Sequence, residues 1–481
     1  MSSQHLDPQT VVALTAQPDP DLEREKAVLV DKIGANPRID LELVLKAIEF
    51  GQAAHQGQKR KNGQPYFVHP LRVAIRAIDY DLDTKTVIGA LLHDVIEDTH
   101  FTGPNIATLF GQSLAQIVEA LTKVKTSKSL TLYKIFQLGN LDFRVILIKL
   151  LDRLDNLSDL TALPRYKQRQ ICQESLAIYA EVAHGLGLIE IEEEMRDSIF
   201  RQLYAIRYQK IKRRLAELEA ERGKAIGKII EEISACVDPN LLVRVIPVKY
   251  KPHGFLFTNH EIERLLNHLV LETHDPLSCY NLLGQIHTRL RSIPLSIRDF
   301  ISNPRANGWR GLTTKVMVLG EQVSLQIVTS EFQVKNRKGL ITLMQEGVYQ
   351  SENYKQFFEL YLDVASDDNV RVDDVFKSSK ARIIQCMTPG GDIIELRYGA
   401  TILDFAFMVH SGLGIKTTGG IINNVRYPRG KVLEDGMVVK VLTSDTAIAE
   451  EVWLEEVVMP KSRREILRFT TKHKGHSTIR P

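Results

Sequence analysis

The stretch Ala90–Thr99 reads A-L-L-H-D-V-I-E-D-T and places one histidine and three carboxylates within six positions of an otherwise apolar segment. At 3.6 residues per turn, His93 and Glu97 share one helical face, as do Asp94 and Asp98. Charges beside Ala90, Leu91, Leu92, Val95 and Ile96 are costly to bury unless they are paired or bind a metal. His93 and Asp94 can both reach one cation, but two ligands do not fill an octahedral ion. His69, in Y-F-V-H-P-L-R-V-A, and Asp152, emerging from V-I-L-I-K-L-L-D, can supply the rest. Two imidazoles and two carboxylates form a mixed nitrogen and oxygen set suited to Mn²⁺ or a similar divalent ion with open water positions. Singly, each residue reads as an ordinary cap or surface group; together, the four point to a metal centre.

Helices must carry these residues. From Asp40 a helical period begins, with Leu41, Val44, Leu45 and Ile48 on one stripe and Glu42, Lys46 and Glu49 off it. Pro70 suits the first turn of a new helix. Helical patterns continue to about Ala235, broken by short loops at Lys61–Pro65 and Phe101–Asn105, and end in a long charged helix from Met195 to Cys236. After Asp238 the texture becomes α/β. Strands are expected at Val243–Val248, Lys315–Leu319 and Val323–Thr329, and helices at His260–Val270 and Ser278–Leu290. From Arg382 come short strands with glycine turns, an apolar helix at Ile402–Val409, and strands near Gly420–Asn423 and Val438–Leu442.

The 481 residues suggest about three domains. A charged fraction of 25% and a hydrophobic fraction of 44% describe an ordinary globular protein, and a net charge of +3 is too small to argue for DNA or another nucleic acid. Cys172, Cys236, Cys279 and Cys386 are scattered without C-x-x-C spacing, which argues against a disulfide framework and fits a reducing cytoplasm. No signal pattern opens the chain, and no apolar run approaches the ~18 residues that would span a membrane.

A histidine, an adjacent His-Asp pair and a distant Asp, in that order, resemble the ligand set of HD-domain phosphohydrolases. The words A-H-Q-G-Q-K-R-K-N-G-Q-P-Y-F-V-H-P, L-L-H-D-V-I-E-D-T and D-F-R-V-I-L-I-K-L-L-D-R-L-D-N resemble the hydrolase domain of the long RelA/SpoT homologues. Those enzymes make and destroy the alarmones ppGpp and pppGpp, and the resemblance runs from roughly residue 40 to 470. It implies a (p)ppGpp 3′-pyrophosphohydrolase that holds Mn²⁺ through His69, His93, Asp94 and Asp152. Glu97 and Asp98 would serve the attacking water. Arg60 would pack on guanine, Lys61 would face phosphate, and Asn156 would contact the nucleotide.

The expected organisation is a lead-in (1–38), an all-α HD domain (39–200) and a linking helix (201–237). A nucleotidyltransferase-like α/β domain (238–375), a β-grasp TGS domain (380–445) and a C-terminal helix with a basic tail (446–481) follow. The central domain is similar to the family's synthetase domain in C-Y-N-L-L-G-Q-I-H and N-G-W-R-G-L, yet its chemistry is missing. The Asp and Arg expected upstream of Cys279 are absent, Ser324 replaces the catalytic Glu, and Val328 replaces an Arg. Without the carboxylates, Mg²⁺-bound ATP has no anchor. Trp309 stands where a guanine-stacking Tyr would be, and either binds nucleotide or is ordinary core. His410, matching a residue that touches transfer RNA in the family, either does the same or ends its helix against the dipole. The resemblance, which ends near residue 470, leads to no expectation of the family's ribosome-docking domains in these residues.

The hydrolase site also departs from the family. D-R-L-D-N-L-S-D-L stands where D-R-L-H-N-M-R-T-L is usual, so Asp155, Ser158 and Asp159 replace His, Arg and Thr. Gly185 likewise replaces an Arg. Two added carboxylates should weaken binding of a polyanion or change which phosphates are tolerated. The rival readings are an HD hydrolase of another phosphorylated nucleotide, and a non-enzymatic sensor of nucleotide or transfer RNA.

Overall fold

A computed structural model describes residues 19–122, 142–255, 267–304, 308–346, 383–397, 399–422, 424–434 and 436–474. The lead-in before Asp19, most of the helix expected at His260–Val270 and the end of the basic tail lie outside the described residues. The described residues divide into two compact units, one within residues 19–346 and the other within residues 383–474.

The first unit begins with helices. Asp19 caps α1 (Pro20–Gly34) through Oδ1, which accepts from the Asp21 amide at 3.0 Å. Asp40 caps α2 (Leu41–Ala54) in the same way. Next come α3 (Val68–Asp79), α4 (Thr84–Leu92), α5 (Val95–Asp98), α6 (Gly103–Phe110) and α7 (Gln112–Leu121). The central helix is α8 (Arg144–Ser158), with Val145, Leu147, Ile148, Leu151 and Leu154 almost inaccessible to solvent. It packs against α3, α4 and α7. Gly89 permits close approach of α4 to α8, since a Cβ there would lie 2.7 Å from the Ile148 side chain.

Helices α9 (Arg165–Glu174), α10 (Ala180–Gly185) and α11 (Ile189–Leu203) follow, with a π-helical turn at Ser175–Tyr179 between the first two. The single helix expected from Met195 to Cys236 is two. Tyr204 leaves helical geometry (φ −136, ψ 49) and separates α11 from α12 (Ala205–Ala235). The last turns of α12 are not merely a solvated connector, for Ile229 and Ile233 enter the core of the sheet that follows.

That sheet has the order β1-β2-β6-β5-β3, with β4 paired to β5. Its strands are β1 (Leu242–Pro247), β2 (His268–Thr273), β3 (Arg291–Ser292), β4 (Arg298–Asp299), β5 (Leu312–Val318) and β6 (Glu321–Thr329). β2 and β6 run parallel, and the other pairs are antiparallel. Helix α13 (Pro276–Arg289) covers one face through Cys279, Leu282 and Ile286. Residues 268–270, assigned to a helix by their sequence, are strand. The register with β6 puts Leu269 and Leu271 in the core, a tertiary pairing that helical propensity could not anticipate. Helices α14 (Ser330–Lys338) and α15 (Leu340–Gln345) end the described part.

The second unit pairs a hairpin, β7 (Ile383–Met387) with β8 (Ile393–Arg397), and a three-stranded sheet. The latter contains β9 (Thr417–Ile422), β10 (Val425–Pro428) and β11 (Val439–Thr443) in the order β10-β9-β11. Helix α16 (Ile402–Val409) opens with a capping box between Thr401 and Asp404. It buries Ile402 and Phe405 on one side and Leu403 and Phe407 on the other. The short α17 (Ser411–Ile415) follows it directly, and α18 (Pro460–Lys474) packs against α16.

Candidate active site

The strongest correction to the sequence reading falls on its central stretch. Ala90–Thr99 is not one helix: α4 stops at Leu92, and His93 and Asp94 form a turn before the four-residue α5. The reason is local. Asp94 drifts toward the edge of the right-handed helical region (φ −100, ψ −4), and the His93 ring caps the turn, its Nδ1–H donating to the Ala90 carbonyl at 2.8 Å. The break points two adjacent side chains at one place, which an unbroken helix would splay by roughly 100°.

His69 from the first turn of α3 and Asp152 from the middle of α8 meet them there. One ligand atom each from His69, His93 and Asp94 lies within 4.8 Å of the others. Asp152 Oδ1 is 3.1 Å from His69 Nε2 and 3.8 Å from His93 Nε2, and Asp94 Oδ2 is 3.1 Å from His93 Nε2. With Nδ1 carrying the proton, His93 Nε2 presents a lone pair to these carboxylates. It is fully buried and has no hydrogen-bond partner among the described residues. An orphaned lone pair facing carboxylate oxygens is unfavourable unless a cation lies between them. The residues therefore fit a divalent metal with nitrogen and oxygen ligands.

The electrostatics agree. Burial would raise the Asp94 carboxyl, but His69 and Lys149 hold it well below the usual carboxylate range. For Asp152, burial is likewise overridden by the hydrogen bond to His69 and by Lys149. Burial would lower the His69 imidazole. Hydrogen bonds to Asp152 and Asp155 win, pushing it up to about 9, so that a proton takes the position a cation would otherwise hold.

Several neighbours escaped the sequence reading. Tyr66 places its hydroxyl 2.8 Å from Asp94 Oδ2 and 2.7 Å from Asp98 Oδ2. His55 stacks on the Tyr66 ring at 4.8 Å. Lys149 is buried with Nζ 3.9 Å from Asp152 Oδ2. Their spacing was a usable signal: Lys149, Asp152, Asp155 and Asp159 recur every three or four residues, forming one polar stripe on an apolar helix.

Asp155 and Asp159, the two carboxylates that depart from the family pattern, are both engaged within the protein. Asp155 is buried and accepts from His69 Nδ1 at 2.7 Å. Asp159 accepts from Arg60 Nη1 at 3.0 Å and Arg72 Nη1 at 3.4 Å. Arg60 also donates to Asn156 Oδ1 at 2.7 Å. The loop that carries Arg60 folds back through a Lys59–Pro65 bridge, with Gly63 at φ +87 making the turn.

The remaining candidates separate. Glu97 is half-buried, and Asp98 and Lys61 are exposed. Asn156 donates to Asp152 Oδ1 at 2.6 Å. Trp309 is half-buried in the α/β part, its ring edge-on to Phe300 at 5.3 Å. His410, in the second unit, ends α16 as its C-cap residue, its amide donating to the Ala406 carbonyl. Its Nδ1 accepts from the Gly412 amide at 3.1 Å and caps α17.

A helical domain with two histidines and two aspartates converging on a buried point is an HD domain. The HD domain family matches residues 47–189, and the TGS domain family matches residues 384–443. The chain belongs to the SpoT family of (p)ppGpp synthases and hydrolases. It is 30% identical over 473 residues to the bifunctional (p)ppGpp synthase/hydrolase SpoT of Escherichia coli K12, covering 92% of this chain and 67% of that one. It is also 30% identical over 456 residues to the guanosine-3′,5′-bis(diphosphate) 3′-pyrophosphohydrolase of Aquifex aeolicus, covering 90% of this chain and 65% of that one. The chain thus spans about two thirds of the length of these relatives. A solved structure of a metazoan ortholog of SpoT that hydrolyzes ppGpp matches 33% of this chain and 94% of its own at 25% identity, with a TM-score of 0.27, too low to carry any argument.

Proposed function

We propose that this chain is a (p)ppGpp 3′-pyrophosphohydrolase that uses Mn²⁺. The observation that carries the reading is the orphaned His93 Nε2, buried against Asp94 and Asp152 beside His69. His69, His93, Asp94 and Asp152 would hold the cation, which when bound neutralises phosphoryl oxygens and makes water more acidic. Glu97 and Asp98 accept the water proton, and Tyr66 orients Asp98. Water oxygen bonds to the phosphorus on the 3′-oxygen, the phosphorus–O3′ bond breaks, and the 3′-oxygen takes up a proton. The products are pyrophosphate and GDP or GTP. Arg60, Lys61 and Asn156 contact the nucleotide.

The α/β part we assign to regulation without synthesis. On β2 and the residue before it, Asn267 and Glu272 are five positions apart, but each is engaged within the fold. Asn267 binds Glu321 and Arg222, and Glu272 pairs with Arg244. Ser324 on β6 brings no carboxylate. Trp309 is the guanine shelf in this reading, and His410 the transfer RNA contact. Four free, buried cysteines accord with a cytoplasmic setting, and no helix among the described residues is long and apolar enough to cross a membrane.

The deciding experiment incubates the protein with ppGpp and Mn²⁺ and identifies the products; no pyrophosphate release would end the proposal. One observation favours a second reading, hydrolysis of another phosphorylated nucleotide: the Arg60 guanidinium meant for guanine is already bound by Asn156 and Asp159. A screen across phosphorylated nucleotides separates the two.

A further inference from the structure

We infer that Asp155 is a positioning residue for the metal centre, orienting His69. The inference rests on the metal-centre reading above. Its footing is geometric. Asp155 lies one turn after Asp152 on α8, so both carboxylates reach the same imidazole from one helix, one at each ring nitrogen. Asp155 Oδ2 is 2.7 Å from His69 Nδ1, and Asp152 Oδ1 is 3.1 Å from His69 Nε2. A carboxylate can only accept, so the Nδ1 proton is directed at Asp155 and the Nε2 lone pair is left for the cation. His93 reaches the same tautomer by a different route, donating its Nδ1–H to the Ala90 carbonyl at 2.8 Å. Both imidazoles therefore have their outer nitrogens tied down and their Nε2 atoms aimed at Asp152. Histidine ligands depend on such outer hydrogen bonds for ring orientation and basicity.

Burial supports the same role. Asp155 is 2% exposed and His69 is 2% exposed, so water cannot replace this hydrogen bond. A buried carboxylate with one neutral donor would be costly. Arg60 Nη1 lies 3.5 Å from the same Oδ2 and offsets the charge. The substitution that the family pattern makes look foreign is thus built into the ligand shell, and through Arg60 it joins that shell to the substrate loop.

The test is calorimetric titration of metal-free protein with Mn²⁺, for the wild type, Asp155→Asn, Asp155→Leu and Asp155→Ala. Thermal melts without metal establish which variants fold. Asn retains an oxygen that accepts from Nδ1–H, whereas Leu and Ala do not. The expected result is near-normal affinity for Asp155→Asn and 10- to 100-fold weaker binding for whichever of the other two folds. Wild-type affinity in a folded Leu or Ala variant would overturn the proposal, as would equal loss in Asn and Leu, which would indicate charge rather than an acceptor. If neither Leu nor Ala folds, the Asn variant decides, and a large loss of affinity there refutes the role. Absence of binding by the wild type would instead remove the metal centre itself, and the proposal with it.

Discussion

The Tyr66 hydroxyl lies 2.7 Å from Asp98 Oδ2 and 2.8 Å from Asp94 Oδ2. One O–H thus faces two carboxylates and can donate to only one of them at a time. Burial, together with both carboxylates, pushes the phenol well above its ordinary value, so it remains a donor at neutral pH. With Asp94 committed to a cation, that donation goes to Asp98. Tyr66→Phe should lower kcat about 10- to 100-fold, the cost of a lost hydrogen bond to a charged group, with little change in melting temperature. Steady-state kinetics checks this, and an unchanged kcat would show that Asp98 needs no orientation.

Metal removal should abolish turnover. A chelator is expected to inactivate the protein and added Mn²⁺ to restore it. Asp152→Ala should lose nearly all activity and most metal affinity while circular dichroism remains helical. Full activity in that variant would refute the ligand assignment.

Glu97→Gln with Asp98→Asn should separate water activation from metal binding. General-base loss predicts a fall in kcat of ~10²–10⁴-fold with Mn²⁺ affinity retained. Loss of the metal in the double variant would move these residues into the ligand set.

Asp83 provides a pH test away from the site. It caps α4 through the Thr86 amide at 3.0 Å and binds Arg144 at the start of α8 at 2.6 Å, fixing the two helices that position His93 and Asp152. Burial would raise its pKa, but Arg144 and Thr86 lower it below the ordinary value. A depressed carboxylate stabilises the fold above its unfolded pKa of about 3.9, and that contribution is lost as pH falls through the folded value. Asp83→Asn retains the cap but not the charge. It should lower stability on the order of 1 kcal/mol at pH 7, a figure reduced for the screening of a partly exposed carboxylate. Melting curves should converge with the wild type as pH drops below about 3.9. A constant difference would exclude the ion pair.

The α/β part should make no alarmone. In an Asp94→Ala background, ATP with GDP or GTP is expected to give no pyrophosphoryl transfer. Formation of ppGpp there would show that residues other than Ser324, Asn267 and Glu272 support synthesis.

By itself, the sequence determined the ligand types and their order. Few patterns other than a metal site place His69, His93, Asp94 and Asp152 on helices that are otherwise apolar, because isolated buried charge is too costly. It also determined the alternation from helical to α/β to small-strand texture, since periodicity is a local property. Residues 268–270 look helical along the chain because strand pairing with β6 is not local, and the break at His93–Asp94 is hidden because a ring-to-carbonyl cap leaves no periodic trace. Only the tertiary structure decided what Asp155 and Asp159 do. Read along the chain, they are two carboxylates added beside a polyanion's site. In the fold, α3 brings His69 onto Asp155 and the Lys59–Pro65 turn brings Arg60 onto Asp159, so their charge is directed inward, to partners 86 and 99 residues away in the chain.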